Sequence, residues 1–274
     1  FLQGLVSNDI RNVTASRAVY AALLTPQGKY LGDFFVIAAG DALWLDCEAA
    51  RADPLARRMS IYRLRARVTI APPAEALVIV AVFGTGAEAA LGLEGFGIGT
   101  AVALPGGAAF LDPRLAAAGV RCVLPACDAA AFFATKGLVP ARREEFERHR
   151  LTHGLPDGSR DLMIERSLPL ECGFDELHGV DWHKGCYVGQ EVTARTRHRG
   201  LIRKRLLPVR LSGPLPPPGT PIRQAERDAG EIRSGAHDLA LALLHLDALA
   251  AWRSGGSGSD LWAAETKLVP VIPQ

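Results

Sequence analysis

Short apolar stretches separated by turns dominate the first 73 residues and predict a mixed α+β layer. Residues 18–47 contain three apolar stretches typical of strands, with a turn at Pro26-Gln27-Gly28 joining the first two and a turn at Gly40-Asp41 joining the next. Helical spacing follows over 48–64, and a short apolar run at 68–70 indicates a further strand. This order predicts an α+β unit over 1–73 with its helices on one face.

Similar patterns continue and predict two further domains. An apolar strand at 77–83, further strands up to 120–124 and intervening helices indicate a second α+β unit over 74–205. A Pro/Gly-rich stretch then precedes short strands, which predict a small C-terminal β-barrel over 206–274. The run SGGSGS at 254–259 is typical of a flexible hairpin tip.

Charge is nearly balanced over the chain but uneven along it. Lys and Arg number 31 against 29 Asp and Glu, for a net charge of +2. Residues 181–205, however, hold seven Lys/Arg and two acids, a local charge of +5. This segment favours an anionic ligand or a phosphate backbone, or else it is a solvated basic face.

Cysteine number and hydropathy bear on the compartment. The five cysteines are odd in number and lack compact spacing, which argues against a disulfide framework and for a reducing compartment, the cytoplasm. Because the chain starts at Phe1 and not at Met, an upstream presequence and a mitochondrial matrix location are the alternative. No apolar run approaches the roughly 18 residues of a membrane span, so no membrane partner is expected.

The most informative stretch for function surrounds Cys186. This cysteine lies between Gly185 and Gly189 and next to Lys184. A neighbouring cation or a helix N-terminus lowers the pKa of a thiol, and the residues after Gly189 predict a helix. Cys186 is therefore the candidate catalytic residue, held by glycines that allow the backbone to approach a ligand closely.

Other sequence features carry weaker chemistry. Cys172, His178, His183 and Cys186 are residue types that bind zinc or share an iron–sulfur cluster, but no CxxC occurs and no metal site is assigned. Asp33 follows the first turn and is either a ligand-facing acid or a strand-edge carboxylate.

Residues 184–191, KGCYVGQE, resemble the KGC[YF]xGQE signature of the YgfZ family. Those proteins bind folate and are linked to iron–sulfur cluster maturation and to tRNA modification. They are relatives of the glycine-cleavage T-protein, an aminomethyltransferase. Further resemblance lies in residues 1–9 (FLQG with ND), 26–29 (PQGK), 195–200 and 230–234.

The resemblance implies a GcvT-like fold, in which two ferredoxin-like α+β units and a small C-terminal β-barrel surround a central cavity. It implies tetrahydrofolate, or a one-carbon derivative, as the cofactor. The implied partners are iron–sulfur assembly or client proteins, with tRNA as a further one through the basic run. The residues expected to bind the cofactor are Asn8, Asp33, Lys184, Gly185, Tyr187, Gly189, Gln190, Glu191 and Arg195.

Two departures from the T-protein pattern bear on activity. Gly32 stands where the relatives carry a catalytic acid, and Thr152 stands where they carry a folate-binding glutamate. A glycine cannot position a nitrogen electrostatically or move a proton. The leading hypothesis is therefore a tetrahydrofolate-binding accessory protein for iron–sulfur cluster assembly or repair. The alternative is a folate-dependent one-carbon transferase with Cys186 as nucleophile, so enzymatic activity is left open.

Overall fold

The chain folds into two compact units. The structure is a computed structural model that describes residues 1–200 and 202–272. The first unit contains Phe1–Pro140 and Asp175–Glu191, and the second contains Ala141–Phe174 and the chain from Val192. The division of the sequence at residues 73 and 205 stays a prediction.

An antiparallel three-stranded sheet begins the first unit. Its strands are β1 (Val19–Leu24), β2 (Tyr30–Ala39) and β3 (Ala42–Cys47), in that order. These are the three strands that the apolar stretches and their turns predict. Every residue of β1 is buried, because this strand has packing partners on both faces.

The helix after this sheet is shorter than predicted, and the strand after it is absent. Residues 48–64 contain a short 3₁₀ turn and then α1 (Ala52–Ile61). The predicted strand at 68–70 is wrong, since these residues pair with no strand among those the structure describes. A run of only three apolar residues does not indicate which strand of a sheet it could pair with.

A four-stranded antiparallel sheet completes the first unit. In chain order the elements are β4 (Leu77–Val82), α2 (Ala87–Ala90), β5 (Ala101–Leu104), β6 (Gly107–Leu111), β7 (Val120–Pro125) and α3 (Ala129–Thr135). The strand order is β4-β7-β6-β5. The two sheets of this unit touch through Phe35 and Phe110, whose ring centroids lie 5.8 Å apart.

The second unit is built on a closed six-stranded barrel, as predicted. Its elements are α4 (Arg143–Thr152), β8 (Lys204–Ser212), β9 (Pro221–Gln224), β10 (Arg227–Ala236), β11 (Leu239–His245), α6 (Leu246–Ser254), β12 (Leu261–Ala263) and β13 (Thr266–Pro270), together with α5 (Gln190–His198), whose first two residues belong to the first unit. The barrel order is β10-β11-β8-β13-β12-β9. The hairpin tip predicted at 254–259 is wrong, because these residues connect α6 to β12.

Strand alternation fills the barrel interior. Ile222, Leu261 and Leu268 are fully buried, whereas their strand neighbours Arg223 and Trp262 are exposed. No helix in the described part of the chain is long and apolar enough to cross a membrane.

Candidate functional site

The signature loop, residues 181–189, presents Cys186 at the surface of the first unit. Gly185 and Gly189 have φ angles of +91° and +87°, in the left-handed region that glycine enters without steric cost. The predicted helix after the loop is α5, which begins at Gln190. The free thiol of Cys186 is exposed.

Lys184 fixes one end of this loop to the N-terminal segment. Its buried Nζ donates hydrogen bonds to the carbonyl oxygens of Gln3, at 2.8 Å, and of Val6. The amide of Gln3 donates in return to the carbonyl of Lys184 at 3.3 Å. The ammonium also lies 5.0 Å from the centroid of the Tyr187 ring. Lys184 thus has a structural role here, and its predicted contact with a ligand stays a prediction.

Lys184 should make stability depend on pH in the alkaline range. Burial lowers the pKa of Lys184 from 10.5 to about 8, against the charges of Asp9 and Asp181, which raise it. Between these two pH values the unfolded chain binds more protons than the folded chain, so the free energy of unfolding rises with pH. Chemical denaturation at several pH values should show this rise in the wild type and lose it in Lys184→Met. An identical pH dependence in the two proteins would contradict the assignment.

Gly189 fixes the other end of the loop to the β1–β2 turn. A Cβ atom at this position would lie 2.6 Å from the carbonyl oxygen of Thr25 and 3.1 Å from Cα of Gly28. Only glycine therefore permits this approach of backbone to backbone. The loop that carries Cys186 is held at both ends, which presents the thiol in a fixed place.

Substitution of the two glycines should separate backbone strain from contact. Gly189→Ala should unfold more easily than Gly185→Ala, because both have positive φ but a Cβ at Gly185 meets nothing within 4 Å. Strain alone should cost roughly 1–2 kcal/mol at either position, and the collision adds to it only at Gly189. Thermal denaturation of the two variants tests this. Equal loss in both would mean that the loop is not packed on the turn.

Asp33 lies in β2 and accepts hydrogen bonds from two buried tyrosines. Tyr20 donates to Oδ2 at 2.8 Å and Tyr30 donates to Oδ1 at 2.5 Å. The β1–β2 register shifts at Leu31, since Leu23 pairs with Gly32 but Leu24 pairs with Tyr30. This bulge brings Tyr30 to the face of the sheet that carries Asp33. Burial, and then the charge of Asp33, raises the pKa of both tyrosines, so they stay protonated donors.

Gly32 points in the opposite direction from Asp33. A Cβ atom on Gly32 would lie 2.7 Å from Cδ2 of Leu55 in α1. The face at residue 32 is thus filled by the helix, whereas the face at residue 33 is polar. Positions 32 and 33 thus face opposite sides of the strand, and the Asp33 carboxylate together with Tyr20 and Tyr30 forms what we call the Asp33 cluster.

Two arginines, Arg114 and Arg121, also contact aromatic rings in or beside this cluster, and the sequence pattern predicts neither of them. Arg114 binds Asp112 at 2.8 Å and lies 5.3 Å and 4.9 Å from the ring centroids of Tyr20 and Phe35. Burial opposes its charge, but Asp112 raises the pKa of Arg114 above its ordinary value. Arg121 lies over the same Phe35 ring at 4.3 Å. Nothing in the sequence pairs these residues, which lie 79 or more positions beyond Phe35 in the numbering.

Asn8 connects the cluster to the segment that precedes the signature loop. Its amide donates to the backbone carbonyls of Tyr20 and His178, both at 2.7 Å. Tyr20 also binds Asp33 through its hydroxyl. Asn8 and Asp33, predicted independently, therefore share one neighbour.

The remaining predicted residues differ in placement. Tyr187 is buried, Gln190 is half-buried and Glu191 is exposed, all in the first unit. Arg195 is an exposed residue of α5 in the second unit. Within residues 1–200 and 202–272, no three His, Cys, Asp or Glu side chains group closely enough to hold a metal ion.

A buried ionic network anchors α4 in the second unit. Arg150 donates to Glu147 at 2.8 Å, to Asp161 at 3.0 Å and to the hydroxyl of Ser234 at 2.7 Å. Burial raises the pKa of Glu147, but hydrogen bonds from Arg160 and Arg150 outweigh it and lower that pKa to about 2. The network joins α4 to strand β10 and stabilises the arrangement of this unit.

The fold is that of the glycine-cleavage aminomethyltransferases. A crystal structure of glycine cleavage system aminomethyltransferase T from Bartonella henselae superposes with a TM-score of 0.75, covering 99% of this chain and 79% of that one at 14% identity. Residues 203–274 match the family of the CAF17 C-terminal β-barrel domain. The predicted GcvT-like α+β fold with a C-terminal barrel is confirmed.

Relatives over nearly the whole chain identify the family. The chain is 35% identical to the human mitochondrial iron–sulfur cluster assembly factor IBA57, over 89% of this chain and 71% of that protein. It is 33% identical to the Mus musculus protein of the same name, over 91% and 73%, and 31% identical to the Mycosarcoma maydis homolog, over 93% and 71%. The chain belongs to the IBA57 family. The resemblance to YgfZ is thus confirmed coarsely, through this family and the shared fold.

Proposed function

We propose that this chain is an iron–sulfur cluster assembly factor that acts through Cys186. The similarity to relatives of that name over about nine-tenths of the chain carries the proposal. The exposed thiol on a loop anchored at both ends supports it, because thiolates are the protein ligands of iron–sulfur clusters. Cys186 either contacts the cluster as cargo or acts as a nucleophile.

Complementation tests this function. Cells depleted of their own protein of this family should regain the activity of their iron–sulfur enzymes when this chain is expressed in the same compartment. Enzymes without clusters serve as the control and should not change. Failure to restore, with the chain present at normal levels and folded, would contradict the proposal.

Tetrahydrofolate is the proposed ligand of the first unit. The Asp33 cluster supplies a fixed, half-buried carboxylate acceptor, which suits the N–H groups of a pterin. When bound, a folate supplies a carrier for one-carbon units. Asp33 would hold the N–H edge of the ring, and the tyrosine hydroxyls would keep the carboxylate in place.

Calorimetry should detect saturable tetrahydrofolate binding that depends on Asp33. Asp33→Asn should weaken binding about 10- to 100-fold, since a hydrogen bond to a charged group contributes roughly 1.5–3 kcal/mol. The exposed strand-turn carboxylate Asp41 provides a control of equal charge change, and Asp41→Asn should bind as the wild type does. Absence of binding to folded wild type would remove folate from the function while leaving cluster assembly standing.

The transferase alternative is disfavoured because Gly32 supplies no carboxylate at the position where the related transferases carry their catalytic acid. An acid placed there would point into Leu55 rather than into the Asp33 cluster. We expect no turnover of a methylamine-type donor in the presence of tetrahydrofolate, for the wild type and for Gly32→Asp alike. Turnover at ordinary enzyme rates would favour the transferase.

A mitochondrial location and tRNA binding are two further proposals. The names of the relatives favour the mitochondrial alternative over the cytoplasm. For tRNA the support is the exposed basic side chains of α5, including Arg195, Arg197 and His198.

A further inference from the structure

The turn after α1 holds a leucine in an unfavourable place. A hydrogen bond of 2.7 Å from the N–H of Ala66 to the carbonyl of Arg63 closes this turn. Leu64 is its first central residue and has a φ of +42°, a conformation that favours glycine in such turns. Its side chain is 89% exposed, so no packing within the first unit compensates for the strained backbone.

The surroundings of Leu64 are strongly basic. Residues 57–67 contain five arginines and no acid. Arg57, Arg63, Arg65 and Arg67 are exposed. Within the described part of the chain, none of these four has an ion pair or side-chain hydrogen bond. A second apolar side chain, Ile61 at the end of α1, is 66% exposed beside them.

We propose that this surface, residues 57–67, docks an acidic polypeptide that covers Leu64 with apolar contacts. The unpaired guanidinium groups complement carboxylates, which they bind in planar, bidentate geometry. Leu64, held outward at the turn, supplies the apolar anchor that interfaces place among charged rims. The inference concerns a partner and does not depend on the proposed cluster or folate chemistry.

Two other anionic partners fit these residues less well. A nucleic-acid backbone would use the arginines but not the exposed Leu64, and residues 57–67 hold a single aromatic side chain, the half-buried Tyr62, in place of the several stacking surfaces typical of single-strand binding. Stable attachment to an anionic membrane takes a larger apolar surface than one turn provides.

Fluorescence anisotropy with defined polymers tests the surface. The probes are a labelled glutamate–tyrosine copolymer and a labelled polyglutamate that contains the same number of glutamate residues. The wild type should bind the copolymer about fivefold more tightly or better, from burial of apolar area around Leu64. Leu64→Gly should abolish that preference, and it should not lower the melting temperature because glycine suits positive φ.

Charge reversal provides the second arm. The triple variant Arg63→Glu, Arg65→Glu, Arg67→Glu should lose at least about tenfold in affinity for both polymers. The control triple Arg143→Glu, Arg227→Glu, Arg253→Glu has the same net charge at other exposed positions and should bind nearly as the wild type does.

Three outcomes would overturn the inference. One is a copolymer preference that survives Leu64→Gly in folded protein, and another is equal loss of binding in the control triple. The third is tighter binding, independent of Leu64, to duplex DNA or to phosphatidylcholine vesicles containing phosphatidylserine.

Discussion

Arg150→Met should lower the free energy of unfolding by about 3–5 kcal/mol, because it leaves buried carboxylates without their counter-charge. The side chains of Arg150 and Asp161 are 3% and 0% exposed, so water cannot replace the lost contacts. Glu147 retains Arg160 as a partner, but Asp161 loses the only ion-pair partner that it has among the described residues. Denaturant unfolding of the second unit, followed by tryptophan fluorescence from Trp252 and Trp262, measures the change.

A matched substitution lies two residues earlier on the same helix. Arg148 pairs with Asp238, but both side chains are 42% or more exposed, so Arg148→Met should cost less than about 1 kcal/mol. If the two variants lose similar stability, the buried network does not hold α4 in place.

Cys186 should react with iodoacetamide far faster than the buried cysteines. Burial raises the pKa of Cys122 from 9.0 to about 12, which reduces its thiolate fraction about a thousandfold before access is considered. Burial likewise raises the pKa of Cys172 to about 12 and that of Cys47 to about 11. Competitive labelling of native protein with mass-spectrometric readout should place Cys186 first.

Cys127 is the informative comparison for that experiment, because it is exposed as well. A hydrogen bond with Asp128 raises the pKa of Cys127, so exposure alone should not make it as reactive. Labelling of Cys127 at the rate of Cys186 or faster would remove any special reactivity from the signature loop.

The elements that could be predicted from the sequence are those with long, regular patterns. Strands β1 to β3 are apolar stretches bounded by turns, and the barrel consists of short strands after a Pro/Gly-rich segment, so both could be identified without tertiary information. The residues at 68–70 and 254–259 mislead for opposite reasons. Residues 68–70 are apolar but pair with no strand among the described residues. Residues 254–259 have a composition typical of flexible hairpin tips, but they follow the helix α6, whose apolar spacing was not recognised.

The candidate site likewise has local features that the sequence predicts and contacts between distant residues that it does not. The signature loop and the helix start at Gln190 are local features, so their pattern could be recognised. The contacts that give the loop its shape are between distant residues, such as Lys184 with Gln3 and Gly189 with Thr25. The Asp33 cluster depends on a one-residue bulge, which alternation alone does not predict.

The most direct test of the central claim is complementation by Cys186→Ala beside Cys127→Ala. Both variants remove one exposed thiol, but only Cys186 lies on the anchored loop. In cells depleted of their own protein of this family, the wild type and Cys127→Ala should restore iron–sulfur enzyme activity. Cys186→Ala, expressed at the same level and equally folded, should leave that activity at the depleted level. Full restoration by Cys186→Ala would contradict the claim that cluster assembly acts through this thiol.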